Sequence, residues 1–272
     1  MTDTAVAATT EYAVSADGTR IAFERHGAGP VLVLVDGALC FRDFGPARPL
    51  AKELADRLTV VAYDRRGRGD SDATPATLDR EIEDLAAVIA AVGSDAAVLG
   101  FSSGGAIAYR AAAAGVRMRA VVGYEAPWVG LRRNPDGSAK DYLGELERLV
   151  AQGRRGKAVD YFMVDMVGGP FFLPLVFRLM RKTWKRFLGV APTLPNDARA
   201  MGAAFEVPTE ELARVAVPAL ALAGGKSKPE MQAAQRAVAA AIPGGQVRVL
   251  HGASHQVAPA TLRPVLLEFL GV

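Results

Sequence analysis

Cysteine is nearly missing from this chain: Cys40 is the only one in 272 residues. No internal disulfide can form, which suits a reducing, cytoplasmic setting. Histidine is scarce as well, with three copies. One cysteine and three histidines argue against a structural zinc site, so no metal is expected. Neither sign of charge dominates, since 32 Lys and Arg face 29 Asp and Glu for a net charge of +3. So weak an excess gives no footing for a nucleic-acid partner. The one basic cluster, Arg178, Arg181, Lys182, Lys185 and Arg186, reads as the wet face of a helix. No apolar run is long enough to span a bilayer, so no membrane partner is expected. Residues 1–14 lack a basic start followed by an apolar stretch, so no signal peptide is read there.

What is present is ordinary for a soluble globular protein. Half the residues are hydrophobic and 22% are charged. The length allows one large core, or a core plus a lid. Residues 11–14 and 20–24 flank an Asp17-Gly18 turn and read as a hairpin. Continuous apolar runs at 31–35, 58–63, 96–100, 120–124, 219–224 and 246–250 suit strands buried on both faces. Helix-like segments fall between them, near 49–57, 82–92, 105–114 and 231–241, with a last helix ending near Leu270. This alternation predicts an α/β fold, a mostly parallel sheet with helices on both faces.

The middle of the chain breaks the alternation. Residues 127–208 offer no good strand and are too many for a plain loop. They read as a helical cap inserted between two strands, leaving 1–126 and 209–272 as the core. Its large apolar side chains include Phe162, Met166, Phe171, Phe172, Phe177 and Met180. Most of them pack the insertion onto the body. Phe162, Met166 and Phe172 are the candidates for an apolar substrate pocket, with Phe101 from the core.

Residues 97–110 read AVLGFSSGGAIAYR, in which two hydroxyls are fenced by glycines. A strand precedes and a helix follows, the context that gives Gly-x-Ser-x-Gly its meaning. A nucleophile on a sharp strand-to-helix turn takes strained backbone angles, so its neighbours two positions away must be small. Ser102 has Gly100 and Gly104 there, whereas Ser103 would have Phe101. Ser102 is therefore the candidate nucleophile, and the Ser103 N–H the candidate oxyanion donor at the positive end of the helix.

With these residues in view, the chain resembles the α/β-hydrolase superfamily, in particular its small, cofactor-free, cap-bearing members. The resemblance runs through ADGTRIAFERHGAGP, LVDGALC, YDRRGRGDSD, LGFSSGG, LALAGGKS and LHGASHQV in order, nearly the whole chain. It implies a serine hydrolase, and it places the base in the loop holding His255, ahead of His251 and His26. The family's acid is commonly an Asp after the 219–224 strand, where this chain has Ser227. Some relatives carry it one strand earlier, which here is Glu125, at the strand end where parallel sheets gather functional residues. Glu230 and Asp36 are the alternatives. The second oxyanion donor is, by resemblance, the Ala38 N–H. Many relatives have His-Gly where this chain has Asp36-Gly37. A carboxylate beside an oxyanion opposes catalysis unless paired or turned away. Asp36 is expected to brace its turn by hydrogen bonds, with contact to a substrate as the less favoured role. Asp64, Arg65, Arg66 and Asp70 read as structural, with Arg66 and Asp70 as partners.

The expected chemistry is hydrolysis of a carboxylic ester or lactone of a small, largely apolar molecule, without a cofactor. The alternative is a ligand-binding protein, or a cyclase, carbon–carbon hydrolase or perhydrolase type of enzyme, on the same scaffold. A homodimer is left open.

Overall fold

The computed structural model describes residues 9–73, 76–93 and 95–272. The N-terminal reading for a signal peptide falls largely outside them. The chain order is β1 (Glu11–Val14), β2 (Arg20–His26), β3 (Val31–Val35), α1 (Ala47–Leu54), β4 (Thr59–Tyr63), α2 (Leu78–Val92), β5 (Ala97–Phe101), α3 (Ser103–Ala113) and β6 (Ala120–Tyr124). A run of helices follows: α4 (Tyr142–Ala151), α5 (Arg155–Tyr161), α6 (Leu173–Leu179), α7 (Arg181–Val190), α8 (Leu194–Met201) and α9 (Thr209–Leu212). A π-helical turn, Phe162–Met166, continues α5. The chain then returns through β7 (Ala219–Gly224), α10 (Pro229–Ala241), β8 (Gln246–Leu250) and α11 (Pro259–Leu270).

The strands form one eight-stranded sheet in the order β1-β2-β4-β3-β5-β6-β7-β8. β1 and β2 pair antiparallel, as does β2 with β4, and the rest of the sheet is parallel. Alternating residues along each strand feed two separate cores, as a period of two requires. Val33, Val35, Val61 and Val98 face α2, α3 and α10. Leu32, Leu34, Val60 and Leu99 face α1 and α11. Helices thus cover both faces, and β5, at the centre, is buried along its whole length.

Several boundaries shift by a few residues from the sequence reading, and two of the shifts have a plain physical reason. Helix α1 begins at Ala47, because its buried stripe is Ala47, Leu50, Ala51 and Leu54, spaced as one helical face. More consequentially, β5 runs to Phe101 and α3 starts at Ser103, so the whole turn is Ser102. The glycines at 104 and 105 are the first turn of the helix rather than a linker before it.

Candidate active site

Ser102 sits at φ 53°, ψ −125°, conformational space that a side chain rarely adopts. The surroundings enforce it. A Cβ on Gly100 would lie 2.2 Å from the Gly104 carbonyl oxygen, and one on Gly104 would lie 2.2 Å from that of Val35. Only glycine permits so close a passage of helix over sheet. The Ser102 N–H donates to the Tyr124 carbonyl at 2.9 Å, continuing the β5–β6 ladder into the turn. Among the described residues four non-glycine residues have positive φ: Leu39, Ser102, Glu125 and Phe205. The first three belong to this site, and strain of this kind collects where function over-determines the backbone.

Glu125 follows β6, fully buried. Its Oε1 accepts the Gly224 N–H at 2.7 Å, and its Oε2 lies 2.7 Å from His255 Nδ1. Burial works against its charge. The His255 ring, the Ser227 hydroxyl and the Gly224 N–H outweigh it and hold the carboxyl below its ordinary value. The Ser227 oxygen is buried close by, although its geometry falls short of a well-formed hydrogen bond. The loop carrying His255 is fastened to the sheet. The Tyr124 hydroxyl donates to the Ser254 carbonyl, and the Lys226 N–H to that of Ala253. With Nδ1 engaged by Glu125, His255 Nε2 is the nitrogen left for chemistry, on a side chain that is half exposed. No hydrogen bond joins His255 to Ser102 among the described residues; such contacts are often long before substrate binds.

His26 Nε2 is 2.8 Å from Glu24 at the sheet's antiparallel side, His251 is exposed, and Glu230 is exposed in the first turn of α10.

The turn after β3 approaches Ser102 closely, for a Cβ on Gly37 would meet that of Ser102 at 3.0 Å. The backbone N–H groups of Ala38 and Ser103 have no acceptor among the described residues. Unpaired donors beside a nucleophile are what an oxyanion site requires. The turn is not braced as expected. Both Asp36 carboxyl oxygens, though buried, lack a hydrogen-bond partner among the described residues. Arg68 instead holds the Gly37 and Cys40 carbonyls, at 2.6 and 3.1 Å, and Arg65 reaches that of Asp36. Guanidinium groups suit this task because their rigid fork can hold several carbonyl oxygens at once. Burial pushes the Asp36 carboxyl up to about 7, against the nearby Arg68 and Arg65 and with help from Asp64. Near neutrality it therefore carries less negative charge than an ordinary Asp.

Both arginines are fully buried and share a carboxylate, Asp197 of α8. Asp197 also accepts the Ser103 hydroxyl at 2.7 Å. One residue of the helical run thus ties the turn after β3, the loop after β4 and the start of α3 together. Sequence reading missed it, since a lone Asp in a helix gives no sign of partners so distant along the chain. The charged loop is structural as expected, with one pairing corrected. Arg66 binds Asp84 and Asp17, while Asp70 binds Arg42. Asp84 lies on α2, which gives Arg66 a buried partner that Asp70, more than half exposed, does not offer.

The expected pocket residues divide. Phe101 is buried beside Tyr124, and Phe162 and Met166 are partly buried on the π-helical turn against the larger core. Phe172 stands half exposed at the start of α6, against Phe171, on the outside of the protein. A cavity of about 410 Å³ among α4, α5 and α6 is lined by charged residues, including Arg148, Asp160 and Arg178, and does not touch Ser102 or His255.

Residues 26–266 match the model of the alpha/beta hydrolase family. An alpha/beta hydrolase from Sphaerobacter thermophilus is 41% identical and superposes with a TM-score of 0.83, over 96% of this chain and all of that one. A thermophilic esterase from Thermogutta terrifontis is 23% identical with a TM-score of 0.73, over 97% and 98% of the two chains. An esterase from Exiguobacterium antarcticum has the same fold at 18% identity and a TM-score of 0.72, over 97% and 100%.

Proposed function

The chain belongs to the alpha/beta hydrolase family, and from that premise we propose that it hydrolyses a carboxylic ester or lactone of a small, largely apolar molecule through an acyl-enzyme on Ser102. The observation that carries this reading is the Glu125–His255 contact, 2.7 Å long, at the same C-terminal end of the parallel strands as a strained serine. In the proposed cycle, His255 Nε2 takes the Ser102 proton as the oxygen attacks the substrate carbonyl. Glu125 keeps the Nδ1 proton in place and stabilises the imidazolium. The N–H groups of Ser103 and Ala38 receive the oxyanion. His255 then protonates the departing alkoxide, and water, activated by the same ring, releases the acid. The helices between β6 and β7 act as a cap over this cycle, with Phe162 and Met166 facing the acyl group. No metal or organic cofactor enters any step.

The test uses a fluorophosphonate probe and a p-nitrophenyl ester. The expected result is rapid labelling and turnover, both abolished in Ser102→Ala. A folded protein that takes no label would instead support a binding role on the same scaffold.

A further inference from the structure

The helix α6 is apolar at every position but Arg178, a pattern nearer to buried helices than to surface ones. One side does face inward, through Pro174 and the partly covered Leu173 and Phe177. The other does not. Phe172, Leu175, Val176 and Leu179, spaced as i, i+3, i+4 and i+7, form a stripe open to solvent. Leu179 is 77% exposed, and Phe171, just before the helix, 86%. Isolated exposed apolar residues are ordinary; a run of them on one helix marks an interaction surface.

The charge of the segment that carries the stripe names the partner. Residues 166–196 carry five cations and no carboxylate side chain, in a chain that is otherwise nearly balanced. Arg178 is neutralised by Asp160, and Arg186 lies on Phe41 and Phe44 and donates to the Asp43 carbonyl. Arg181, Lys182 and Lys185, on the following helix α7, are exposed and form no ion pair among the described residues. A second copy of the chain is a poor occupant, because a two-fold contact across this patch would set the cations of one copy against those of the other. Anionic headgroups above an apolar layer complement both features at once.

We propose that the outer face of α6, together with Arg181, Lys182 and Lys185, docks onto bilayers rich in anionic phospholipid. Phe171, Leu175 and Leu179 enter the boundary of the acyl chains while the cations meet headgroup phosphates. Among the described residues no helix is long and apolar enough to cross a membrane, and this mode, which lies on a membrane rather than across it, needs none. The surface is also independent of the chemistry proposed at Ser102.

Flotation of the intact protein with vesicles tests it. Binding is expected to vesicles of mixed phosphatidylglycerol and phosphatidylcholine, and to weaken steeply in high salt and with phosphatidylcholine alone. Each cation near an anionic surface adds roughly fivefold to partitioning. The exposed double variant Lys182→Glu/Lys185→Glu should therefore lose at least ~20-fold. Leu175→Ser/Leu179→Ser should lose binding to both lipid mixtures. Both variants are expected to keep the thermal midpoint and the turnover of a water-soluble ester. Failure of the wild type to float, or binding untouched by the charge reversal, would overturn the proposal. So would light scattering that shows a dimer dissociated by Leu175→Ser/Leu179→Ser, which would assign the patch to a second copy.

Discussion

At the scale of single residues, the site turns on where carboxyl groups are placed and how each is kept charged or neutral. Glu125 reaches His255 from the strand before the one whose turn holds Ser227, and it stays ionised because ring, hydroxyl and N–H converge on it. Glu125→Gln is expected to lower kcat by about 10²- to 10⁴-fold with little change in KM, since it removes imidazolium stabilisation rather than substrate contacts. Steady-state kinetics check this, and a loss confined to KM would oppose it. Asp36 behaves in the opposite sense. Its folded value, about 7, stands above the roughly 3.9 of an unfolded Asp. The native state thus holds a proton that the unfolded chain has lost, and stability from this group declines as pH rises from about 4 through about 7 and is level above. Urea unfolding at pH 5 and pH 8 should show the decline in the wild type, with a steepest slope of about 1.4 kcal/mol per pH unit from this group. Asp36→Asn should remove that share of it. Ser102 and its flanking glycines were legible in the sequence because the pattern states a local steric need. Asp36 was legible only as an oddity: whether a buried carboxyl is braced or bare depends on Arg65 and Arg68, which reach the carbonyls of its turn rather than its side chain.

At the scale of elements, the β5–α3 junction shows how little room the site leaves. Gly100→Ala would drive its methyl into the Gly104 carbonyl and the Gly105 Cα, both backbone, within 2.5 Å. The expected cost is about 3 kcal/mol or more, since neither partner can swing aside. Chemical denaturation checks it, and a loss below 1 kcal/mol, the ordinary size of a point-mutant effect, would mean the helix can slide. Strands and helices of the body could be placed from runs and periods, because a parallel sheet buried on both faces writes itself as uninterrupted apolar residues. The helical insertion was readable as helical but not as oriented. A stretch as apolar as 171–180, with Arg178 its one charge, carries no clear period from which to tell inside from outside, and Phe172 was accordingly expected inward and found outward.

At the scale of the whole molecule, the insertion and the body are joined by buried charge as well as by packing. Asp197 faces Arg65 and Arg68, with Glu81 as the other carboxylate on Arg65. Removing one member of such a group leaves guanidinium charge uncompensated in a dry interior. Asp197→Asn is expected to cost about 3–5 kcal/mol by denaturant unfolding. It should also lower kcat, through the oxyanion turn that those arginines hold. Loss of stability with kcat intact would show that the turn keeps its shape unaided. This coupling could not be read from the chain, because Asp197 lies more than a hundred residues from either arginine and sits in no recognisable motif. It also sets a rule for recombination. A chimera that exchanged the segment between β6 and β7 for a homologue's would import a foreign roof and leave Arg68 beneath it without a counter-charge, with Arg65 reduced to Glu81, unless the donor brought its own counterpart of Asp197. Shuffling for new selectivity should succeed or fail at that one position before any pocket shape is compared.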